Sequence, residues 1–232
     1  MDKKSLSERD ICTQFITPAV LGAGWDLALQ VREEVGFTKG RIIVRGRLVT
    51  RGQPKRADYV LYYKPNIPLA LIEAKDNAHS MGAGMQQALE YAATLDIPFV
   101  FSSNGDGFIF HDRTGQAAQT EETLALNAFP SPAALWARYR AWKGFTPEAE
   151  QVVLQDYYDD GSGKAPRYYQ VNAVNAAIEA IAKGQDRVLL VMATGTARPT
   201  PPSRSSGACG RPGARSASCS WLTATSASTR PW

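Results

Sequence analysis

Apolar residues along this chain recur with two periods, and the places where the period changes mark out its elements. From Leu6 to Val20, Ile11, Phe15 and Ile16 fall at helical spacing behind Ser5 and Ser7, either of which can cap a helix, and Glu8 sits in the first turn. Leu21-Gly-Ala-Gly24 ends that helix, Trp25 to Val31 leads toward a sheet, and Arg41-Ile-Ile-Val44 reads as a strand. Val60 to Tyr63 and Leu69 to Ile72 are short apolar runs joined by Lys64-Pro-Asn66, the pattern of two paired, buried strands. Past Lys75 the period becomes helical, with Met81, Met85, Ala88, Leu89 and Ala92 on one face. Ile97 to Ser102 is a buried strand, Asn104-Gly-Asp-Gly107 a hairpin turn and Phe108 to His111 the returning strand. A helix over residues 130–144, carrying Trp136, Tyr139 and Trp142, closes an α/β domain over residues 1–150, a mixed sheet flanked by helices.

Residues 151–166 read as a linker, polar and Gly-containing over Gln155 to Lys164. A second unit starts at Arg167-Tyr-Tyr-Gln170, with Val174, Ala177, Ile178 and Ile181 on one helix face. A strand over residues 187–192 then runs into Ala193-Thr-Gly-Thr196.

Within the first domain, charge appears where a core strand should not carry it. Asp58 opens one strand of the hairpin, and Glu73-Ala-Lys75 closes the other. Side chains alternate along a strand, so Glu73 and Lys75 share a face, and the hairpin can bring Asp58 beside them. Two carboxylates and an ammonium on one face have two readings. They are strand-end charges in a solvated ion pair, or they form a hard-oxygen pocket for Mg2+ with a lysine that stabilises charge during phosphodiester hydrolysis. Gln87 and Tyr91, four apart, project together from the following helix, either as a site element or as a surface amide and a core ring. The basic stretch Arg45, Arg47, Arg51, Lys55 and Arg56 is a solvated edge or a phosphate-contacting rim. His79 and His111 lack the spacing of zinc ligands.

Composition changes this picture in four respects. With 232 residues and 44% hydrophobic content the chain has ample material for a packed core. No apolar run approaches the roughly 18 residues of a membrane span, and Met1-Asp-Lys-Lys-Ser-Leu-Ser lacks the apolar stretch of a signal peptide, so a cytoplasmic protein is expected. Cys12, Cys209 and Cys219 show neither metal spacing nor the even count of a disulfide framework. The net charge of +4 suggests nucleic-acid binding until it is located. Residues 197–232 hold Arg198, Arg204, Arg211, Arg215 and Arg230 and no Lys, Asp or Glu, so everything before them is close to neutral.

That same tail has no Ile, Val, Phe or Tyr, too little apolar material for a core. A strand running into Ala-Thr-Gly-Thr is how a phosphate-binding loop begins, yet Ala197-Arg-Pro-Thr200 stands where Gly-Lys-Thr is expected. A shifted reading frame accounts for both. The alternative frame permits Gly-Lys-Thr directly after the break, and an apolar strand followed by polar residues in place of Ala217 to Thr225. An authentic disordered tail is the alternative. As written, the segment lacks the Lys and Thr that hold phosphates and Mg2+, so ATP binding by this chain is not expected.

Seven motifs in order and spacing resemble the restriction (HsdR) subunit of type I restriction-modification enzymes: Ser7-Glu-Arg-Asp-Ile-Cys12, Lys55-Arg-Ala-Asp58, Leu71-Ile-Glu-Ala-Lys75, Gln86-Gln-Ala-Leu-Glu-Tyr91, Phe101-Ser-Ser-Asn-Gly-Asp106, Arg167-Tyr-Tyr-Gln170 and Met192-Ala-Thr-Gly-Thr196. The resemblance implies a PD-(D/E)xK nuclease followed by the start of a RecA-like superfamily 2 motor over residues 167–196, with residues 197–232 out of frame. It implies that Asp58 and Glu73 bind Mg2+, with the Ala74 carbonyl available as a further ligand, and that Lys75 is catalytic. It also implies that Gln87 and Tyr91 position DNA or the site, and that Glu8 matches an acidic residue on the first helix of this class. Gln170 would read adenine, and Thr194, Gly195 and Thr196 would begin the ATP phosphate loop. The implied partners are double-stranded DNA and the methylation and specificity subunits, with DNA cut after ATP-driven translocation. A catalytically silent DNA-binding remnant and a stand-alone repair nuclease are the alternatives.

Overall fold

The structure is a computed structural model describing residues 3–38, 42–45, 48–51, 54–156 and 166–190. It divides into two units, Met1–Gly144 and Phe145–Trp232.

The first unit is built on a six-stranded mixed sheet in the order β1-β4-β5-β6-β7-β8. Its strands are β1 Val31–Thr38, β4 Pro54–Lys64, β5 Ile67–Ala74, β6 Phe99–Ser103, β7 Gly107–Asp112 and β8 Glu121–Ala125. A separate antiparallel pair, β2 Ile42–Arg45 and β3 Leu48–Arg51, lies between β1 and β4 in sequence. Four of the five neighbour pairings in the larger sheet are antiparallel; β5 and β6 alone run parallel. Parallel neighbours need a crossover, and helix α3, Met85–Leu95, supplies it. The carboxyl ends of two parallel strands and the start of their crossover helix therefore converge, the usual place for a site in an open α/β sheet.

The core follows from residue type. Leu69 to Ala74 is buried throughout, as expected of a central strand covered on both faces. At the β4–β5 turn Pro65 holds its own φ while Asn66 takes the left-handed conformation, φ 66°. Phe101 stacks on Phe110 at 4.7 Å and lies 4.8 Å from Phe129, and Phe108 is also 4.8 Å from Phe129. This aromatic group fixes β6 and β7 against the chain that leads into α4, Pro132–Lys143.

Several expectations need correction. The single helix expected from Leu6 to Val20 is instead α1, Glu8–Ile11, a π-helical turn Cys12–Ile16, and α2, Thr17–Gly22. Pro18, which has no N–H to give, sits at the start of α2, and the wider turn before it absorbs the missing bond. Ser7 is the cap, with Asp10 closing the reciprocal capping box. Helix α3 starts at Met85, which leaves Met81 in the preceding turn, and Tyr91 rather than Leu89 is buried on its inner face. Strands β1, β3 and β8 were not expected, and the stretch holding Arg45, Arg51, Lys55 and Arg56, expected as a loop, is largely strand; Asp58, expected to open its strand, lies within β4 because the pairing with β1 runs back to Pro54.

In the second unit, α5 Pro147–Val153 packs on α6 Tyr168–Ala182. Of the strand expected over 187–192, residues 187–190 are described and are not in a strand. Val188 and Leu189 are exposed there, with no neighbouring strand among the described residues to pair with. Most of the expected linker, residues 157–165, lies outside the described residues, as does everything from Val191 onward, including Thr194, Gly195, Thr196 and the proposed frame change. No helix among the described residues is long and apolar enough to cross a membrane.

Candidate functional site

The β4–β5 register sets the geometry. Tyr59 pairs with Ile72, which places the next residues outward, Asp58 and Glu73, opposite one another on the same face. Asp58 is half-buried, and its Oδ2 accepts the Ala74 N–H at 2.7 Å, which turns the carboxylate toward the end of β5. Glu73 is 1% exposed, a burial that an ionised carboxylate tolerates only with strong partners. Its Oε1 accepts from Lys75 Nζ at 3.2 Å and from the Gln87 amide in a short hydrogen bond. Its Oε2 is buried and has no hydrogen-bond partner. Glu8, from α1, reaches the same cluster with Oε1 3.8 Å from Lys75 Nζ.

Electrostatics reflect this crowding. Burial first, and then the Asp58 carboxylate, push the Glu73 carboxyl up to about 8, against the pull of Lys75. Burial also raises Asp58, opposed by the Ala74 N–H, and raises Glu8, opposed by Lys75. For Lys75 burial favours the neutral amine, but the Glu73 and Glu8 carboxylates outweigh it and hold the ammonium above its usual value. Three carboxyls with raised pKa values around one cation indicate a site short of positive charge.

Helix α3 completes the pocket. Gln87 Nε2 also donates to the Tyr91 hydroxyl at 3.2 Å, so one amide spans Glu73 and Tyr91. Phe37 meets the Tyr91 ring edge-on at 5.1 Å, and Lys55 Nζ lies 5.2 Å from its centroid while pairing with Glu90 at 2.7 Å. Arg56 pairs with Glu34 at 3.4 Å. The side chains of Arg45, Arg47 and Arg51 lie outside the described residues.

Asp58, Glu73, Lys75, Gln87, Tyr91 and Glu8 are thus brought together. Gln170 belongs to the second unit, in the first turn of α6, where its Oε1 accepts the Arg167 N–H at 2.9 Å as part of a cap. The histidines take surface partners, His79 with Asp76 at 2.7 Å and His111 with Glu121 at 2.9 Å. Among the described residues no group of three or more His, Cys, Asp and Glu side chains could hold a metal ion. A cation at this site would rest on the two carboxylates Asp58 and Glu73. The uncompensated Glu73 Oε2 and the crowded negative charge fit a hard divalent ion, which takes one or two carboxylates and fills its remaining positions with backbone oxygen, water and phosphate.

The sequence reading missed the parts that let α3 approach. Gly84 precedes the helix, and a Cβ there would lie 3.0 Å from both Glu73 Cγ and Ser102 Oγ; its N–H donates to Ser102 Oγ at 3.2 Å. The only sequence signal was a glycine just before a helical run. Gly84→Ala is expected to push α3 away from Glu73, costing about 1–3 kcal/mol of stability and loosening the Gln87 contact. Urea unfolding measures the first effect, and a cost below about 0.5 kcal/mol would show that the neighbours yield freely. A second missed feature is a clasp on the segment between Lys75 and α3. Asn77 Nδ2 donates to Asn104 O at 3.0 Å and Asp106 Oδ2 at 2.9 Å, Asn104 Nδ2 donates to His79 O at 2.8 Å, and Lys3 Nζ pairs with Asp106 at 3.0 Å.

Comparison with known proteins shows the family of the chain. A family model described as the N terminus of type I restriction enzyme R proteins matches residues 41–119. The endonuclease subunit of the type I restriction enzyme EcoAI from Escherichia coli is 55% identical over 199 residues, which is 85% of this chain and 25% of that protein. The EcoKI endonuclease subunit of Escherichia coli strain K12 is 25% identical over 183 residues, 61% of this chain and 16% of that protein. A solved fragment described as an HsdR subunit of a type I restriction enzyme from Vibrio vulnificus YJ016 is similar in fold, with TM-score 0.70 and 36% identity over 83% of this chain and 36% of that one. The chain spans a quarter or less of the length of these curated relatives. By family model, sequence identity and shared fold, it belongs to the R-protein family of type I restriction enzymes, within that family's N-terminal region.

Proposed function

We propose that the first unit is a Mg2+-dependent DNA endonuclease of the PD-(D/E)xK kind that hydrolyses phosphodiester bonds within a longer R subunit. The observation that carries this is the buried, unpartnered Oε2 of Glu73, a residue that stands opposite Asp58 and whose other oxygen accepts from Lys75. Asp58 and Glu73 would hold the ion, with the Ala74 carbonyl in reach of the same strand end. When bound, the ion supplies charge neutralisation, polarisation of a phosphoryl oxygen and a more acidic water.

The chain's own groups have separable roles. The Ala74 N–H orients Asp58, and the Gln87 amide engages Glu73 Oε1 while the buried Oε2 is left without a partner. Tyr91 accepts from the same amide and fixes its rotamer. Lys75, whose ammonium is held above its usual value beside Glu73 and Glu8, stays protonated at neutral pH, so its role is to offset negative charge developing on the phosphate rather than to abstract a proton. Glu8 steadies that ammonium from α1. In the longer subunit, ATP-driven translocation would supply the DNA, and methylation and specificity subunits would supply target recognition; residues 167–196 would begin that motor, with Gln170 toward adenine.

The test is Mg2+-dependent cleavage of duplex DNA by an R subunit carrying this unit, assembled with its partner subunits. Gln87→Ala is expected to lower cleavage by roughly 10- to 100-fold, the loss typical of a misplaced reacting group, while ATP hydrolysis is unchanged. Tyr91→Phe should have the same effect in milder form. If Gln87→Ala merely lowers the unfolding temperature and leaves cleavage per folded molecule intact, the helix is structural and the assignment fails.

A further inference from the structure

Residue 34 is where β1 departs from strand geometry. Glu33 pairs with Tyr59 and Val35 with Ala57, so Glu34 stands in register across from Asp58, yet its φ is 52°. A glutamate in the left-handed region costs about 1–2 kcal/mol, and such residues persist where the surroundings hold them, often at functional sites. Among the described residues Glu34 meets two arginines. Arg9 Nη1 lies 3.0 Å from its Oε1, and Arg56 Nη1 lies 3.4 Å from its Oε2.

These pairs do not account for the strain as a stabilising device. The side chains are 73% exposed for Arg9, 64% for Arg56 and 49% for Glu34, and exposed ion pairs contribute about 0.2–1 kcal/mol each. Two such pairs at best match the backbone cost. What the arrangement does achieve is to converge two guanidinium groups on one oxyanion with both still open to solvent, the geometry that suits a phosphate. Its position fits as well. Arg56 precedes Asp58 by two residues and so shares its face of β4, and Arg9 follows Glu8, the residue that meets Lys75. Glu34 sits on the strand beside Asp58, and adjacent strands are about 4.8 Å apart, so a phosphate here would be a near neighbour, along the same DNA backbone, of the one at Asp58 and Glu73.

We propose that Arg9 and Arg56 form a phosphodiester clamp beside the candidate active site, with the Glu34 carboxylate occupying it as a built-in phosphate mimic until a backbone phosphate of DNA displaces it. This rests on the nuclease reading and deepens it by naming where the neighbouring phosphate is held. Because Glu34 is held only by weak, exposed pairs, exchanging it for a phosphate is inexpensive, and the swap lets the arginines stay ordered in the free protein.

The experiment measures fluorescence anisotropy of a short labelled duplex titrated with the chain over a salt series, with Ca2+ replacing Mg2+ to keep the duplex intact. Arg9→Ala and Arg56→Ala should each weaken binding about threefold to tenfold and flatten the plot of log affinity against log salt by roughly 0.9, the value for one lost phosphate contact. Arg56→Gln, which keeps the side chain's length, should do the same, so the effect does not depend on lost packing. Glu34→Gln should tighten binding, a gain that a purely structural ion pair would not give, and the gain should vanish when Arg9→Ala and Arg56→Ala are combined with it. Unchanged affinity and slope in the arginine variants, or no gain from Glu34→Gln, would overturn the clamp. So would a wild-type chain without salt-sensitive binding; the nuclease reading would still stand if Mg2+-dependent cleavage by the assembled subunit is lost in Asp58→Ala.

Discussion

Alanine at Asp58, Glu73 or Lys75 is expected to abolish Mg2+-dependent cleavage by an assembled R subunit carrying this unit, with losses beyond roughly 100-fold for each, the scale of removing a group that acts mainly in the transition state. The three should differ in what they do to the fold. Asp58, within β4, and Lys75, just past the end of β5, retain some exposure, so their removal should leave the unfolding midpoint close to wild type. Glu73 is buried, with one oxygen unpartnered, and replacing it removes a desolvated carboxyl together with the repulsion it feels from Asp58. In the metal-free protein Glu73→Ala should therefore destabilise less than a buried truncation of its size, by under about 2 kcal/mol against the 2–5 typical of a core Leu→Ala. Cleavage within tenfold of wild type for any of the three would remove that residue from the site.

The site was legible where local rules decide placement. Alternation put Glu73 and Lys75 on one face, Pro65 and Asn66 closed the hairpin, and spacing of four residues aligned Gln87 with Tyr91; each needs only the geometry of a single element or turn. The Glu73–Gln87 contact was not readable this way, because it depends on Gly84 letting α3 sit against β5, a distance between elements far apart in sequence. The same holds for the clasp from Asn104 and Asp106 to Asn77 and Lys3.

What failed in the fold failed for a related reason. Strand β1 carries Arg32, Glu33 and Glu34 and mixes buried with exposed positions, since an edge strand has one neighbour and tolerates charge that a central strand would not. Its polar run reads as loop from sequence alone, yet it brings Glu34 opposite Asp58. Strand β8, Glu-Glu-Thr-Leu-Ala, lies at the opposite edge and was missed on the same grounds. The first helix was found but its π-helical turn was not, because Pro18 announces a break in hydrogen bonding without specifying how the chain absorbs it.

Metal-free stability should fall as pH rises from about 4.5 to about 8, and Glu73 should be the main cause. Its ordinary carboxyl value is 4.5 and the folded state raises it to about 8, so between these limits the unfolded chain has released a proton that the folded chain keeps. Folding then takes up a proton and is penalised by about 1.4 kcal/mol per pH unit, on the order of 3–5 kcal/mol across the window. Carboxyls that the fold lowers, Asp10, Asp76, Asp106 and Glu148, act with the opposite sign, but their effect appears only as pH falls below the carboxylate range. Lys75 is raised, so its contribution is complete throughout this window and is lost only in strong alkali. Urea unfolding in EDTA between pH 5 and 8.5 should show the decline in the wild-type chain and a clearly shallower one in Glu73→Gln, which keeps the shape and cannot ionise, the remainder coming from Asp58 and Glu8, whose carboxyls the fold also raises. Adding Mg2+ should restore stability most at neutral pH, where binding must also displace the Glu73 proton; calorimetry in buffers of different ionisation enthalpy should count about one proton released near pH 7. A Glu73→Gln profile that declines like wild type would assign the buried proton to another group and remove the argument that this carboxyl waits for a cation.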